Sequence, residues 1–489
     1  LLPYWNPKNN PATWQNMTTY TIGFKSATVW GKSPPLSWSG DMYGGDYLDL
    51  ILGKKTWPSP LCGTSSNEAC DGTSWNTRET NRKIELWHMA VNGRGKYFPA
   101  ANGAQLTAAF KEIMRSVGSE SKQPVTSYAA SSMNNQRTDV GVFSSGYSSD
   151  GWSGYVSATK LKANSTEFDT AANVWGNKST GELMDAWPAT TVNSRVVLTS
   201  KDDAPGTGIS FQWSTGSTPL TATQQALLQG AGTEEQGIAL VKYIRGDLSQ
   251  DGSLFRKRKS RQGDIVNSNI WYVADPAASY GYKGYAEFAK SMRKRTPMLY
   301  VGGNDGMLHG FSAVDGSEKL AYIPKGVIEG LSTYAASTYS HRYFVDGSPY
   351  TGDVDVSGSG VVGSSATPSW KTMLVGSLAA GGRGYFVLDV TKPGSTDSSV
   401  SNDFTAANAN NIVVTDKTFP GSATADTDPN FADIGHIYAP AVVDTVNPFV
   451  ATQISKMNNG RWAVVMGNGY NSVNERPVLL IQYLDGAKE

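Results

Sequence analysis

Three stretches in the second half of this 489-residue chain resemble one another at intervals of about 80 to 90 residues, and repetition of that kind constrains a fold more than any local pattern. Each stretch has two parts. The first is a short β segment: GDIVNSNIWYV from residue 263, VDGSPYTGDV from 345 and HIYAPAVVDTV from 436. The second carries glycine-separated strands: MLYVGGNDGMLHGFSAVDG from 298, KTMLVGSLAAGGRGYFVLDV from 371 and WAVVMGNGYNSVNERPVLLIQYLDG from 462. In the 298 stretch a strand run, the turn Asn304-Asp305-Gly306, a second strand ending near Phe311 and a further turn at Asp315-Gly316 make an antiparallel meander. A single meander is too thin to bury its own faces. The repeats are therefore expected to stack around an axis as the blades of a β-propeller, with Phe311, Tyr385 beside Phe386, and Tyr483 packing between blades.

The length exceeds that of one ordinary domain, so two or more folded units are expected. The 42 basic and 42 acidic residues balance to zero, which removes the attraction that a nucleic-acid or anionic-membrane binder needs. Charged residues are only 17%, below the roughly 25% of ordinary domains, while Gly, Ser, Thr, Asn, Trp and Tyr are abundant, a composition that fits a secreted β-rich protein. The two cysteines, Cys62 and Cys70, flank a short polar segment. In an oxidising compartment a disulfide is the favoured reading over two independent thiols. No run of 18 or more apolar residues occurs and the N-terminus lacks signal-peptide features, so the chain is expected to be soluble, and processed or cut from something longer.

The first 122 residues read differently. Residues 18–24 (TTYTIGF) are spaced as a buried strand, a Gly, Ser and Pro-rich insertion runs to about residue 80, residues 83–91 have helical spacing, and Lys96 to Phe98 read as another strand. From Ala104 to Val117 apolar residues recur at three and four, with Asn102 as N-cap and Gly118 as terminator. This is an α/β segment, 1–122, ahead of a β-rich one, 123–489. Within the second, residues 221–244 suggest one or two short helices.

The blade YVGGNDGMLHGFSAVDG resembles the repeat of quinoprotein-type propellers. Longer phrases in fixed order, among them ATWQNMTTYTIGF from 12, ELWHMAVNGRGKYF from 85, DGWSGYVSATKL from 150, YIRGDLSQDG from 243, RKRKSRQGDIVNS from 256 and WKTMLVGSLAAGGRGYFVLDVT from 370, resemble the PilC/PilY family of type IV pilus tip-associated adhesins over nearly the whole chain. That resemblance implies a mainly β fold. Residues 1–122 would be the C-terminal part of a von Willebrand factor A-like domain and 123–489 most of a β-propeller. It also implies an extracellular place at the pilus tip reached through the periplasm, partners among minor and major type IV pilins, attachment to host-cell or abiotic surfaces, and roles in pilus assembly, retraction and twitching. Two departures stand out. The metal-dependent adhesion motif Asp-x-Ser-x-Ser is absent, and the calcium loop expected of the family falls beyond Glu489, leaving the propeller incomplete as given. Calcium is thus the implied cofactor, with no organic one.

Several constellations are candidates in their own right. Asp426, Asp428, Asn430 and Asp433 have the alternate spacing of calcium-binding carboxylates, although Phe431 and Ile437 break the EF-hand pattern, and a polar turn is the favoured reading. Asp353 and Asp355 invite the same two readings. Arg245-Gly246-Asp247 spells the integrin-binding tripeptide, against which stands a framework role. The basic run Arg256, Lys257, Arg258, Lys259 and Arg261 reads as an ion-paired or solvated surface in a chain of zero net charge. Four histidines, His88, His309, His341 and His436, form no Ser-His-Asp or HExxH pattern, and no catalytic residue is assigned. The functional expectation is a non-enzymatic tip adhesin and assembly regulator. A non-adhesive periplasmic scaffold and a quinone-dependent dehydrogenase are the alternatives.

Overall fold

The computed structural model describes residues 19–24, 85–86, 89–90, 93, 97–120, 125–130 and 141–486, apart from 163–164, 166, 170–171, 173, 214–218 and 445–446. Cys62, Cys70 and His88 lie outside the described residues. The chain divides into two compact units, residues 1–122 and 123–489.

In the first unit β1 (Thr21–Phe24) pairs in parallel with β2 (Tyr97–Ala100), Thr21 opposite Tyr97 and Phe24 opposite Ala100. Helix α1 (Gly103–Glu120) follows directly. Asn102 is its N-cap: the Asn102 Oδ1 accepts the amide of Gln105 at 2.9 Å, and Gln105 Oε1 returns to the amide of Ala101 at 2.6 Å. The helix runs past Gly118 to Glu120, and of its expected apolar stripe Ala109 is buried whereas Phe110 is exposed.

The second unit is built of sheets. A three-stranded one orders β3 (Val125–Ala130), β4 (Gly141–Ser148) and β5 (Ser153–Lys160). Two small helices, α2 (Thr180–Asp185) and α3 (Ala189–Ser194), lead to β6 (Val197–Ser200) and β7 (Gly208–Ser210). Helices α4 (Ala222–Gln229) and α5 (Glu234–Ile244) occupy the expected helical stretch. Each opens on a capping box, Thr221 with Gln224 and Thr233 with Gln236, which makes them separate helices.

Three meanders follow. The first comprises β8 (Trp271–Val273), β9 (Met298–Gly302), β10 (Leu308–Ser312) and β11 (Glu318–Ile323), all antiparallel; β6 joins β11 in parallel and β7 extends the edge to six strands. The second is β12 (Tyr350–Asp355), β13 (Trp370–Ser377), β14 (Arg383–Asp389) and β15 (Val413–Phe419), and the third is β16 (Ile454–Lys456), β17 (Trp462–Gly467) and β18 (Leu479–Tyr483). Helix α6 (Tyr285–Met292) lies between β8 and β9.

Side-chain alternation shows how the sheets pack. In β9, Leu299 and Val301 join a cluster with Phe143 and Val156 of the β3–β5 sheet, while Tyr300 between them joins Leu374 and Phe386 of the second meander. In β13, Leu374 faces back toward the first meander, and Met373 and Val375 face forward to Val464 and Met466 of the third. Whereas β18 of the third meander leaves Leu479 and Ile481 exposed, the first and second meanders bury both faces between their neighbours. That is the packing of propeller blades, and it explains why these strands are near-continuous apolar runs.

Two details differ from the sequence reading. Among the described residues of the segment 436–446 only isolated bridges form, His436 to Tyr470 and Val443 to Ala451, and β16 pairs with β17 in its place. Pro440 lacks an amide for a ladder, and Val442 and Val443 are exposed. Phe311, Tyr385 and Phe386 are buried, but the third position is shifted by one residue: Leu484 is buried, while Tyr483 lies under the Arg461 guanidinium at 3.8 Å.

Candidate functional site

The loops after β9, β13 and β17 lie at one end of the blades. The segments leading into β8 and β12 lie at the same end, because those strands run antiparallel to β9 and β13. Polar side chains tie this end together. Ser268 Oγ donates to Gly347 O at 2.9 Å and accepts the Gly302 amide at 2.8 Å, and Ser377 Oγ donates to Ile437 O at 2.9 Å. One turn demands its glycine: Gly306, at φ 94°, closes the turn after Asn304 and Asp305.

Two carboxylates are set into this loop face. Asp264 is fully buried; its Oδ2 accepts Asn304 Nδ2 at 2.7 Å and lies 2.7 Å from His341 Nε2, while Oδ1 has no hydrogen-bond partner. Asp346 accepts the amide of Asn267 at 3.2 Å and its Nδ2 at 2.6 Å. Burial raises the Asp346 carboxyl to about 6; the Asn267 hydrogen bonds oppose the shift and the Asp264 charge adds to it.

Aromatic rings surround these acids. Trp152, in the β4–β5 turn, stacks on His341 with ring centres 3.7 Å apart, and His341 meets Tyr343 edge-on at 5.0 Å. Trp152 holds a φ of 53°, a conformation costly for so bulky a residue. Further along the face Tyr470 stacks on Tyr438 at 5.4 Å and on His436 at 5.5 Å. Tyr343, Tyr438 and Tyr470 are 40%, 44% and 61% exposed.

Beneath the face runs a sealed charge chain. His309 lies 3.1 Å from Asp305 and 2.7 Å from Glu318, which also binds Arg195 Nη2 at 2.8 Å. Burial opposes a charge on His309, but Asp305 and Glu318 outweigh it and raise the imidazole to about 9. All four side chains are buried, which gives His309 a structural role.

The tripeptide Arg245-Gly246-Asp247 is not displayed. Arg245 is buried, and its guanidinium donates to Arg195 O at 2.7 Å and to Phe211 O and Asn193 O at 3.3 Å. Asp247 Oδ1 accepts the Ser249 amide at 2.7 Å. This corrects the integrin-like reading, since the arginine such recognition uses is spent on framework carbonyls. The basic run divides: Lys257 and Lys259 are exposed, with Lys259 3.5 Å from Asp150, whereas Arg258 and Arg261 are buried and do not belong to a surface. Arg258 donates to Tyr243 O at 2.7 Å and pairs with Asp251 at 3.0 Å, and Arg261 donates to Gly246 O and Met184 O at 2.8 Å.

The calcium-like set does not converge either. Asp426 and Asp428 accept the amides of Asp428 and Asn430 at 2.8 Å, and Asp433 pairs with Arg476 at 2.9 Å and accepts from Asn474. Among the described residues no three acidic, His or Cys side chains form a metal-holding group. These are turn and ion-pair residues. Asp353 accepts from Tyr285 and Thr372 at 2.7 Å, and Asp355 caps the turn at Ser357 and Ser369.

Residues 262–487 match the family model described as the PilY1 beta-propeller domain. The whole length finds relatives too: 33% identity over 98% of this chain to the type IV pilus biogenesis factor PilY1 of Pseudomonas aeruginosa strain PAK. The chain belongs to the PilC/PilY family. It spans 36% of that PilY1 relative's length. A PilY1 homolog of Xylella fastidiosa strain Temecula1, also named a type IV pilus biogenesis factor, is 34% identical over 50% of this chain and 17% of its own. The crystal structure of the P. aeruginosa PilY1 C-terminal domain is 31% identical over 44% of this chain and 34% of that one, with a TM-score of 0.29 that carries no argument about shape.

The loop-face constellation escaped the sequence reading although its signal was present. Asp264 and Asp346 occupy the same second position in the first parts of two repeats, where the third has Ile437 preceded by His436. An acid recurring just ahead of an inner strand is a residue aimed at the blade end.

Proposed function

We propose that this chain is the adhesive and assembly-controlling portion of a type IV pilus biogenesis factor, carried at the pilus tip. The observation that carries the reading is its 33% identity, over 98% of its length, to a protein named for pilus biogenesis. The blade stack supports the adhesive part, since rigid sheets holding an array of exposed loop aromatics are the arrangement by which binding surfaces are positioned. Minor pilins at the tip are the proposed partners in assembly, and host-cell or abiotic surfaces the proposed targets of attachment. Residues 1–122 are proposed to be the end of a von Willebrand factor A-like domain, a reading supported by the parallel β1–β2 pair followed by α1. Among the described residues no helix is long and apolar enough to cross a membrane.

Deleting the gene and counting both pili and attachment per remaining pilus tests this. The expected result is fewer pili and weaker attachment by each. Unchanged attachment per pilus would leave a scaffold and remove the adhesin, and unchanged pilus number would remove the assembly role.

A further inference from the structure

The end of the blades opposite the loop face holds a cavity of about 600 Å³, a volume within the range that small ligands occupy. Its position follows from its lining: Ala274 comes after β8, Pro297 before β9 and Val314 after β10. One wall is aromatic. Phe143 of β4 stacks on Tyr272 of β8 with ring centres 6.0 Å apart, and Phe449 meets Tyr272 edge-on at 6.1 Å.

The same lining contains a buried charge that the fold leaves unmatched. Arg295, between α6 and β9, is 4% exposed. Its Nε donates to Ala274 O at 2.6 Å, and its Nη1 donates to Thr372 Oγ1 at 2.8 Å and to Thr391 O at 3.2 Å, all neutral acceptors. Among the described residues Nη2 has no partner, and no carboxylate lies within ion-pair distance of the guanidinium. Nor is Nη2 sealed, so its N–H groups are left to the cavity that Arg295 lines. A buried charge is costly until an opposite charge meets it. The acids of the cavity do not meet this one: Asp353 accepts the hydroxyls of Thr372 and Tyr285 at 2.7 Å, one on each oxygen, and Asp275 is exposed to water. The Lys160 ammonium, also in the lining, is unpaired.

We propose that this cavity binds a small organic acid, its carboxylate taken by Arg295 Nη2 and its apolar body laid along Phe143, Tyr272 and Phe449. A singly charged carboxylate matches the one buried cation, whereas a metal ion or an amine would meet Arg295 and Lys160 with the same sign. The same chemistry is offered by free aryl or alkyl acids and by the C-terminal residue of a peptide. The inference goes beyond the adhesive reading and does not depend on it, since the cavity and the loop face lie at opposite ends of the blades.

The test is isothermal titration of the purified 489-residue chain with hydrocinnamate, octanoate and N-acetylphenylalanine, each beside its neutral amide. The acids should bind with a Kd of about 1 mM or tighter and the amides at least about tenfold more weakly; the arm that responds identifies the source. Arg295→Gln should weaken acid binding by about tenfold or more. Because that change also removes bonds within the fold, Val314→Glu, at a 56% exposed position of the same lining, is the second variant. It adds an anion to the cavity and should weaken the acids by about threefold or more while leaving the amides and the melting curve unchanged. No acid binding up to about 10 mM, equal binding of acids and amides, or acid binding unaltered in Val314→Glu with a wild-type melting curve would each overturn the proposal.

Discussion

At the scale of single residues, the charges that matter most are those the chain hides. His309 is charged in the folded chain up to about 9, against an ordinary value of 6.5 when unfolded. Its stabilisation is therefore fully present below 6.5 and is lost as the pH rises through 9. Urea denaturation between pH 6 and 10 should show that decline, and His309→Ala should abolish it while costing about 3–5 kcal/mol, because Asp305 and Glu318 are left buried with one partner fewer. A flat profile in the wild type would contradict the charged assignment. The tripeptide gives a second residue-level test. Arg245→Lys forfeits the planar fork that serves three carbonyls and should cost about 2–4 kcal/mol, whereas Asp247→Asn keeps an oxygen for the Ser249 amide and should cost less than about 1 kcal/mol. Host-cell attachment unchanged in Asp247→Asn is the expected result; its loss, with the fold intact, would restore the integrin-like reading.

At the scale of elements, the joining of neighbouring strands depends on backbones approaching where no side chain fits. A Cβ on Gly347 would lie 2.1 Å from Ser377 Oγ and 2.5 Å from Ser377 O. Gly347→Ala must push the segment leading into β12 away from the end of β13, its neighbour in the same blade, at a cost of about 1–3 kcal/mol or more, visible as a lower melting temperature. Much of this level was legible in the sequence. The glycine-punctuated repeats marked the strands of the three meanders, and the Thr-x-x-Gln pairs at Thr221 and Thr233 account for the two helices within 221–244. What escaped has a common cause. Pattern identifies which residues are apolar, not which end of a blade a polar residue reaches. The Asp426–Asp433 spacing left a cation site open beside the favoured polar turn, and its carboxylates serve separate turns and Arg476; the tripeptide left an integrin-like reading open beside a framework role, and the Arg245 guanidinium is enclosed. The described residues of 436–446 form no strand, because Pro440 interrupts the run.

At the scale of the whole molecule, residues 123–489 carry their own buried clusters, so this portion alone is expected to fold, with a cooperative melt and β-dominated circular dichroism. Such a unit gives the adhesive account its simplest means of being tested, by competition. The central claim is that the chain itself presents an attachment surface. The decisive measurement is the attachment of wild-type piliated cells to a host-cell layer in the presence of rising concentrations of the purified 489-residue chain, with pili counted throughout. Saturable inhibition at constant pilus number is the result this account predicts, while attachment that stays level up to concentrations far above that of the pili would contradict it.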